Sequence, residues 1–315
     1  MLKKWTKYLC DPVDKSPLKI VKIIEKKGND VIAGTLKSKS GRIYQIKDGI
    51  PILLNRYTQS VKSVASFAYE WDEFDFDYGK KSWLTDIVKP TLGSTKFFKN
   101  KTIIDCGSGS GRQSLWMSQA GAKLIFSLEL SNASRTTTKR VAEMSNGKVF
   151  VIQCDISNPP VNVRTVKVDL IYCVNVIQHT KNVNRAVMSI SKLMNKSTDF
   201  IFNIYLVNGR EKFLKFLGIV RIVTKLIPHA LLKYLSFVLA VFSFLLSNVP
   251  PMGNWLKKSL PLKHGFKETW LDIYDILGSH EYQKFYSEKE LLEILDYSKL
   301  DIKKRSRYAM MLNKR

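Results

Sequence analysis

Five mostly apolar runs, TIIDCG, AKLIFSLEL, KVFVIQCD, VDLIYCVNV and TDFIFNIYL, recur through residues 101–206 with amphipathic segments such as RQSLWMSQAG and VNRAVMSISKLMN between them. A strand that is apolar on both faces needs cover on both faces, and helices of alternating polarity supply it. The pattern therefore predicts an α/β fold, a Rossmann-like parallel sheet with helices on both sides. With 315 residues, the chain has room for that unit and for additions at either end.

The first run ends in IIDCGSGSGR. Gly107, Gly109 and Gly111 permit backbone conformations and close approaches that a Cβ would block, and the helix that follows offers free N–H groups. A glycine loop alone is shared with dinucleotide-binding folds. The acidic Asp105 before the first glycine separates the two readings. D-x-G-x-G-x-G resembles motif I of class I methyltransferases, whose cofactor is S-adenosylmethionine. That resemblance implies cofactor contacts from Asp105, Gly107, Ser108, Gly109 and Gly111.

Glu129 ends the next run, where a strand-end carboxylate can accept both hydroxyls of a ribose; on its own such a residue reads as solvated surface. The resemblance assigns Glu129 to the ribose hydroxyls, Leu130 to the cofactor site beside it, and Asp155 with Ile156 to the adenine. Asp155 also reads as the start of a turn through Ser157, Asn158 and Pro159. Within the fourth run, the resemblance places Asn175 beside the cofactor. His179 reads as a general base or as a local cap. Upstream, SFAYEW resembles a segment that covers the cofactor in one branch of the family, with Tyr69 and Trp71 as contacts; packing on the sheet edge is the alternative. The resemblance extends over residues 63–199 and more loosely over the C-terminal part, and it implies in-line displacement at the sulfonium methyl.

Residues 1–56 read as a small β-rich domain of short strands and turns. Their end, YQIKDGIPILL, resembles Trm112-like zinc ribbons, which hold zinc through two C-x2-C pairs. Here Cys10 remains near the first knuckle, Asp14 stands near its second thiolate, and KSKS occupies the second knuckle. One thiol cannot build a structural site, so the expectation is no zinc and a unit held by packing alone.

A methyltransferase core over residues 57–209 is expected to give way at 210–260 to an apolar helical insertion, with residues 261–315 returning to the α/β unit. The insertion reads first as a buried cap and second as a membrane-interface segment; its uncharged run is short for a bilayer span. In the last part, Ser287 and Glu290 have the spacing of a capping box.

The formal charge of +24 favours anionic partners, although lysines are spread along the whole chain. The acceptor is expected to be a small or lipid-linked biosynthetic intermediate carrying an O, N or C nucleophile. RNA is the second candidate, and a methyltransferase-fold scaffold without activity is a third reading. No apolar leader marks the N-terminus, so the expected location is cytoplasmic, with membrane association through residues 210–260. Cys10, Cys106, Cys154 and Cys173 suggest no disulfide framework. His179, His229, His264 and His280 are dispersed, so no metal site is expected. A serine hydrolase lacks its G-x-S-x-G elbow.

Overall fold

The protein is described by a computed structural model covering residues 1, 3–54, 62–74, 79–247, 249–254, 265–277 and 283–315. The expected boundaries at 56 and 260, along with His264 and His280, lie outside these residues.

The apolar runs form the centre of the sheet. Parallel strands β5 (Thr102–Cys106), β6 (Leu124–Glu129), β7 (Val149–Cys154), β8 (Leu170–Cys173) and β9 (Asp199–Phe202) lie in the order β7-β6-β5-β8-β9. Every residue of β5 and β7 is buried. Covering helices explain this. Ile104 faces one core with Val187 and Ile190 of helix α4 (Val183–Ser191), while Ile103 faces another with Trp116 and Met117 of helix α2 (Arg112–Gln119). Helix α3 (Thr137–Glu143) connects β6 to β7. On one flank, β11 (Met310–Lys314) runs antiparallel to β9, and β10 (Leu300–Arg305) closes that edge. The α/β fold expected from the sequence is present.

The N-terminal β-rich unit does not stand apart. Strands β1 (Lys19–Lys27), β2 (Asp30–Lys37), β3 (Ile43–Lys47) and β4 (Ile50–Leu53) form an antiparallel meander, and β4 then pairs in parallel with β7. Ile52 faces Gln153 and Leu53 faces Cys154. The result is one sheet of eleven strands among the described residues. Trp5 and Tyr8, from a short 3₁₀ turn, lie against Phe150 and Phe126 at ring separations of 4.6 and 5.6 Å. The outer strand β1 is lysine-rich and largely exposed, which discourages edge-to-edge pairing with other chains.

The turns around Cys10 and Ser38 meet, and packing is not all that joins them. Arg42 donates to Asp11 at 3.3 Å, Asp14 at 2.8 Å and Ser40 at 2.5 Å, while Ser38 and Ser40 share a 2.9 Å hydrogen bond. The expectation of packing alone is corrected, because a guanidinium bridges the two turns. Cys10 is buried beside them, and its thiol pKa is pushed up to about 11 by burial.

The apolar segment after β9 forms helices α5 (Glu211–Thr224) and α6 (His229–Leu246), followed by α7 (Phe266–Ile276). It is not the buried cap of the first reading. Helix α6 buries Leu232, Ser236, Ala240 and Ser243, while Tyr234, Leu235, Phe242 and Leu245 are exposed. Small side chains allow α7 to approach closely, which turns the bulky ones toward solvent. Helix α8 (Glu288–Tyr297) has the expected capping box: Glu290 N–H donates to Ser287 Oγ at 3.2 Å, and Ser287 N–H donates to Glu290 Oε2 at 2.8 Å.

Candidate functional site

Strand order reverses at β5, since the chain proceeds to β6 and β7 on one side and to β8 and β9 on the other. In open α/β sheets the crevice at the carboxyl edge of such a reversal receives ligands. The glycine loop leaves β5 at that edge. Gly107, Gly109 and Gly111 all have positive φ, at +71°, +54° and +78°. A Cβ on Gly107 would come within 2.4 Å of Val176, and one on Gly109 within 2.8 Å of the Trp71 indole. Gly107 and Ser108 donate their N–H groups to Leu128 O at 2.8 and 2.9 Å, which ties the loop to β6. Ser108 is buried and bonds Ser127 through its hydroxyl at 2.7 Å.

Glu129 is buried at the end of β6. Its two oxygens accept Gly109 N–H and Ser131 N–H, each at 2.8 Å. Burial raises its pKa, opposed by the Ser131 and Gly109 N–H donors. The Ser131 hydroxyl and the Leu130 N–H also bond this carboxylate, so vicinal hydroxyls of a ligand would compete with that hydroxyl for it. Asp105 lies below the loop, with Ser114 Oγ donating to it at 2.6 Å. It therefore anchors the start of α2 to β5 and acts on the loop through that helix. Burial pushes its carboxyl up to about 7, so at neutral pH protonated and ionised forms coexist.

The other expected residues fall at the same edge with differing orientations. Asp155 follows β7 and accepts Ser157 N–H at 2.7 Å, so its turn-forming reading describes its local bonds. The carboxylate also lines a cleft with Pro12, Leu53 and Leu54, and Ile156 beside it is buried. Leu130 is half-buried, and its carbonyl accepts from Gln153 at 3.2 Å. Asn175 follows β8 with φ +62° and is locked to Asn203 by two hydrogen bonds of 2.6 and 2.7 Å. His179 lies edge-on between Phe67 and Tyr205, with ring centroids 5.5 and 5.8 Å away.

Helix α1 (Lys62–Glu73) separates its two aromatic candidates. Trp71 covers the glycine loop and stacks in parallel with Phe67 at 6.3 Å, whereas Tyr69 stacks on His229 of α6 at 5.3 Å. Trp71 thus lies over the glycine loop. Tyr69 faces the apolar helices.

Four supporting residues escaped the sequence reading. Gln153 donates to the carbonyls of Leu130 and Ser131 and to Asn132 Oδ1, all at 3.2 Å, holding the turn after Glu129. Thr138 donates to Gly109 O at 2.6 Å. Asn203 fixes Asn175, and Phe67 flanks His179. Gln153 and Asn203 did leave a signal, because each is a lone amide within an otherwise apolar buried strand region.

The donor set fits S-adenosylmethionine: a glycine loop that excludes side chains, a buried carboxylate one strand away, and an indole over the loop. A family described as "Methyltransferase domain" matches residues 104–202. Protein arginine N-methyltransferase 1 of Caenorhabditis elegans is 30% identical over 106 residues, which are 31% of this chain and 30% of that protein. The chain spans under a third of that relative's length. Among solved structures, magnesium protoporphyrin IX methyltransferase from Synechocystis with bound SAH is 12% identical, with a TM-score of 0.40 over 81% of this chain and 86% of that one. A putative Zn-dependent alcohol dehydrogenase from Rhodobacter sphaeroides is 13% identical, with a TM-score of 0.45 over 81% and 99%. Residues 104–202 thus match a methyltransferase domain family, and that match supports S-adenosylmethionine as the cofactor of the glycine loop.

Proposed function

We propose that the whole chain transfers a methyl group from S-adenosylmethionine to an O, N or C nucleophile on a small or lipid-linked biosynthetic intermediate. The observation that carries the reading is Glu129, a buried carboxylate bonded to the glycine loop at 2.8 Å and able to accept the cofactor's ribose hydroxyls. Gly107, Gly109 and Trp71 border the methionine side, and Asp155 with Ile156 the adenine side. The cofactor supplies an activated sulfonium methyl. Positioning and exclusion of water are then the main tasks of the protein. His179 is the candidate base when the acceptor carries a proton, and its two aromatic neighbours fix the ring's orientation.

A lipid-linked acceptor is favoured by the exposed apolar faces of α5 and α6, joined to the glycine loop through α1. A protein arginine side chain is the second reading, drawn from the Caenorhabditis relative. To separate these, the protein is incubated with methyl-labelled S-adenosylmethionine and with lipid, soluble-metabolite, protein and RNA fractions. Label in the lipid or small-molecule fraction supports the proposal. Label confined to protein or to RNA overturns it.

For residues 1–56, the reading is a Trm112-like ribbon whose zinc shell has been replaced. Arg42 bridges the two turns that thiolates would otherwise join through a metal. Chelator insensitivity of the folded protein, together with loss of stability in Arg42→Ala, would support this. A stability loss caused by the chelator would contradict it.

A further inference from the structure

Phe216, Ile219, Leu226, Tyr234, Phe242 and Leu245 are each between 58 and 81% exposed, and all belong to α5, α6 or the turn between them. Singly exposed apolar side chains are ordinary; six of them on two successive helices and the turn that joins them mark a surface that is covered in use. We propose that helices α5 and α6 dock in the plane of an anionic lipid bilayer, with these side chains in the acyl boundary.

Charge favours lipid over a second copy of the chain. The formal charge is +24, and exposed Lys212 and Lys215 lie within α5 itself. Two copies meeting face to face would bring like charges together, whereas anionic headgroups attract them. The packing of α6 favours an in-plane position over a crossing. Its eighteen residues reach roughly 27 Å at 1.5 Å per residue, close to the ~30 Å of a hydrocarbon core. However, the stripe of Leu232, Ser236 and Ala240 is fastened to α7, with Trp270 Nε1 donating to Ser236 Oγ at 3.0 Å. Crossing would draw α7 into hydrocarbon, and α7 carries Lys267, Glu268, Asp272 and Asp275. Lying at the interface leaves the charged helix on the protein side and immerses only the bulky outer face.

The surface also connects with the cofactor loop. Glu73 of α1 pairs with Lys233 of α6 at 2.7 Å and Tyr69 stacks on His229, while Trp71 of the same helix covers Gly109. A substrate held in the bilayer would reach the protein one helix away from the methyl donor.

The test is co-sedimentation of the full chain, without cofactor, with phosphatidylcholine vesicles and with phosphatidylcholine–phosphatidylglycerol vesicles. The expected result is binding to the mixed vesicles and release by alkaline carbonate. The triple variant Ile219→Glu, Leu226→Glu, Phe242→Glu should bind at least about tenfold more weakly, with unchanged circular dichroism and S-adenosylhomocysteine binding. Four results would overturn the proposal: no vesicle binding, equal binding by the triple variant, retention through carbonate as a spanning helix would show, or a dimer abolished by the variant with no lipid dependence. Because the cofactor is absent, failure here leaves the methyl-transfer reading to its own test.

Discussion

Strand β5 and helix α6 are both rich in apolar residues, yet β5 buries every side chain and α6 buries one leucine, one alanine and two serines. The difference is one of partners. β5 lies between two strands and under helices on both faces, so each of its side chains meets protein. Helix α6 has a partner along one stripe only, and close helix contact there selects small residues. Hydrophobicity decides what must be covered; side-chain size decides which face the protein itself covers.

The sharpest way to break this comparison is to place the same charge in both elements. Ile104→Glu should unfold the protein or cost at least about 4 kcal/mol, since the carboxylate would be buried without a partner. Phe242→Glu should shift stability by less than ~0.5 kcal/mol. Thermal melts of the two variants check this, and equal losses would mean that the outer face of α6 is covered after all. A smaller effect is expected from Ala240→Leu. Overfilling the fully buried α6–α7 contact should cost about 1–3 kcal/mol, although the substitution makes the helix more apolar.

A third region sharpens the contrast, because the N-terminal turns are joined by charge. Arg42→Ala leaves the buried Asp11 without its cation. A loss of stability is expected, moderated because Arg42 is itself part-exposed and its pairing is screened by solvent. Denaturant titration measures it.

The smallest effects are opposite pH trends from two aspartates. Hydrogen bonds from Ser40 and Ser16, with help from Arg42, depress the Asp14 pKa. Its contribution is therefore present above the usual carboxylate pKa and is lost as pH falls through the folded value. Asp105 is raised by burial to about 7, so its folded form binds a proton that the unfolded chain releases near pH 4. Its contribution is full below the unfolded value and is lost as pH rises toward about 7. In melts compared between pH 3 and 8, wild type minus Asp14→Asn should shrink at the acid end, and wild type minus Asp105→Asn should shrink at the neutral end. Parallel trends would show that the two carboxyls share one kind of environment.

What could be read in the sequence was what local physics determines. Strand-forming runs, the glycine loop, Glu129 at the end of β6 and the Ser287 capping box each follow from a few adjacent residues. The pairing of Leu53 with Cys154 was not legible, because register between strands so far apart in the chain leaves no local periodicity. Arg42 was missed for a related reason: its partners Asp11 and Asp14 lie across a turn in three dimensions, and a search for thiolates passes over a guanidinium. For α6, composition announced an apolar helix, but only the position of α7 determined that its bulky face points outward. At the site, Trp71 and Tyr69 were indistinguishable by type and separated only when α1 was seen to lie between the loop and α6.

We propose that Glu129 and the glycine loop together form the cofactor site. Calorimetric titration of S-adenosylhomocysteine into the wild-type protein, Glu129→Ala and Gly109→Val tests it most directly. The expected result is micromolar binding by the wild type and its loss in both variants while each remains folded. A folded wild type that releases no heat, or a Glu129→Ala variant that binds as tightly, would contradict it.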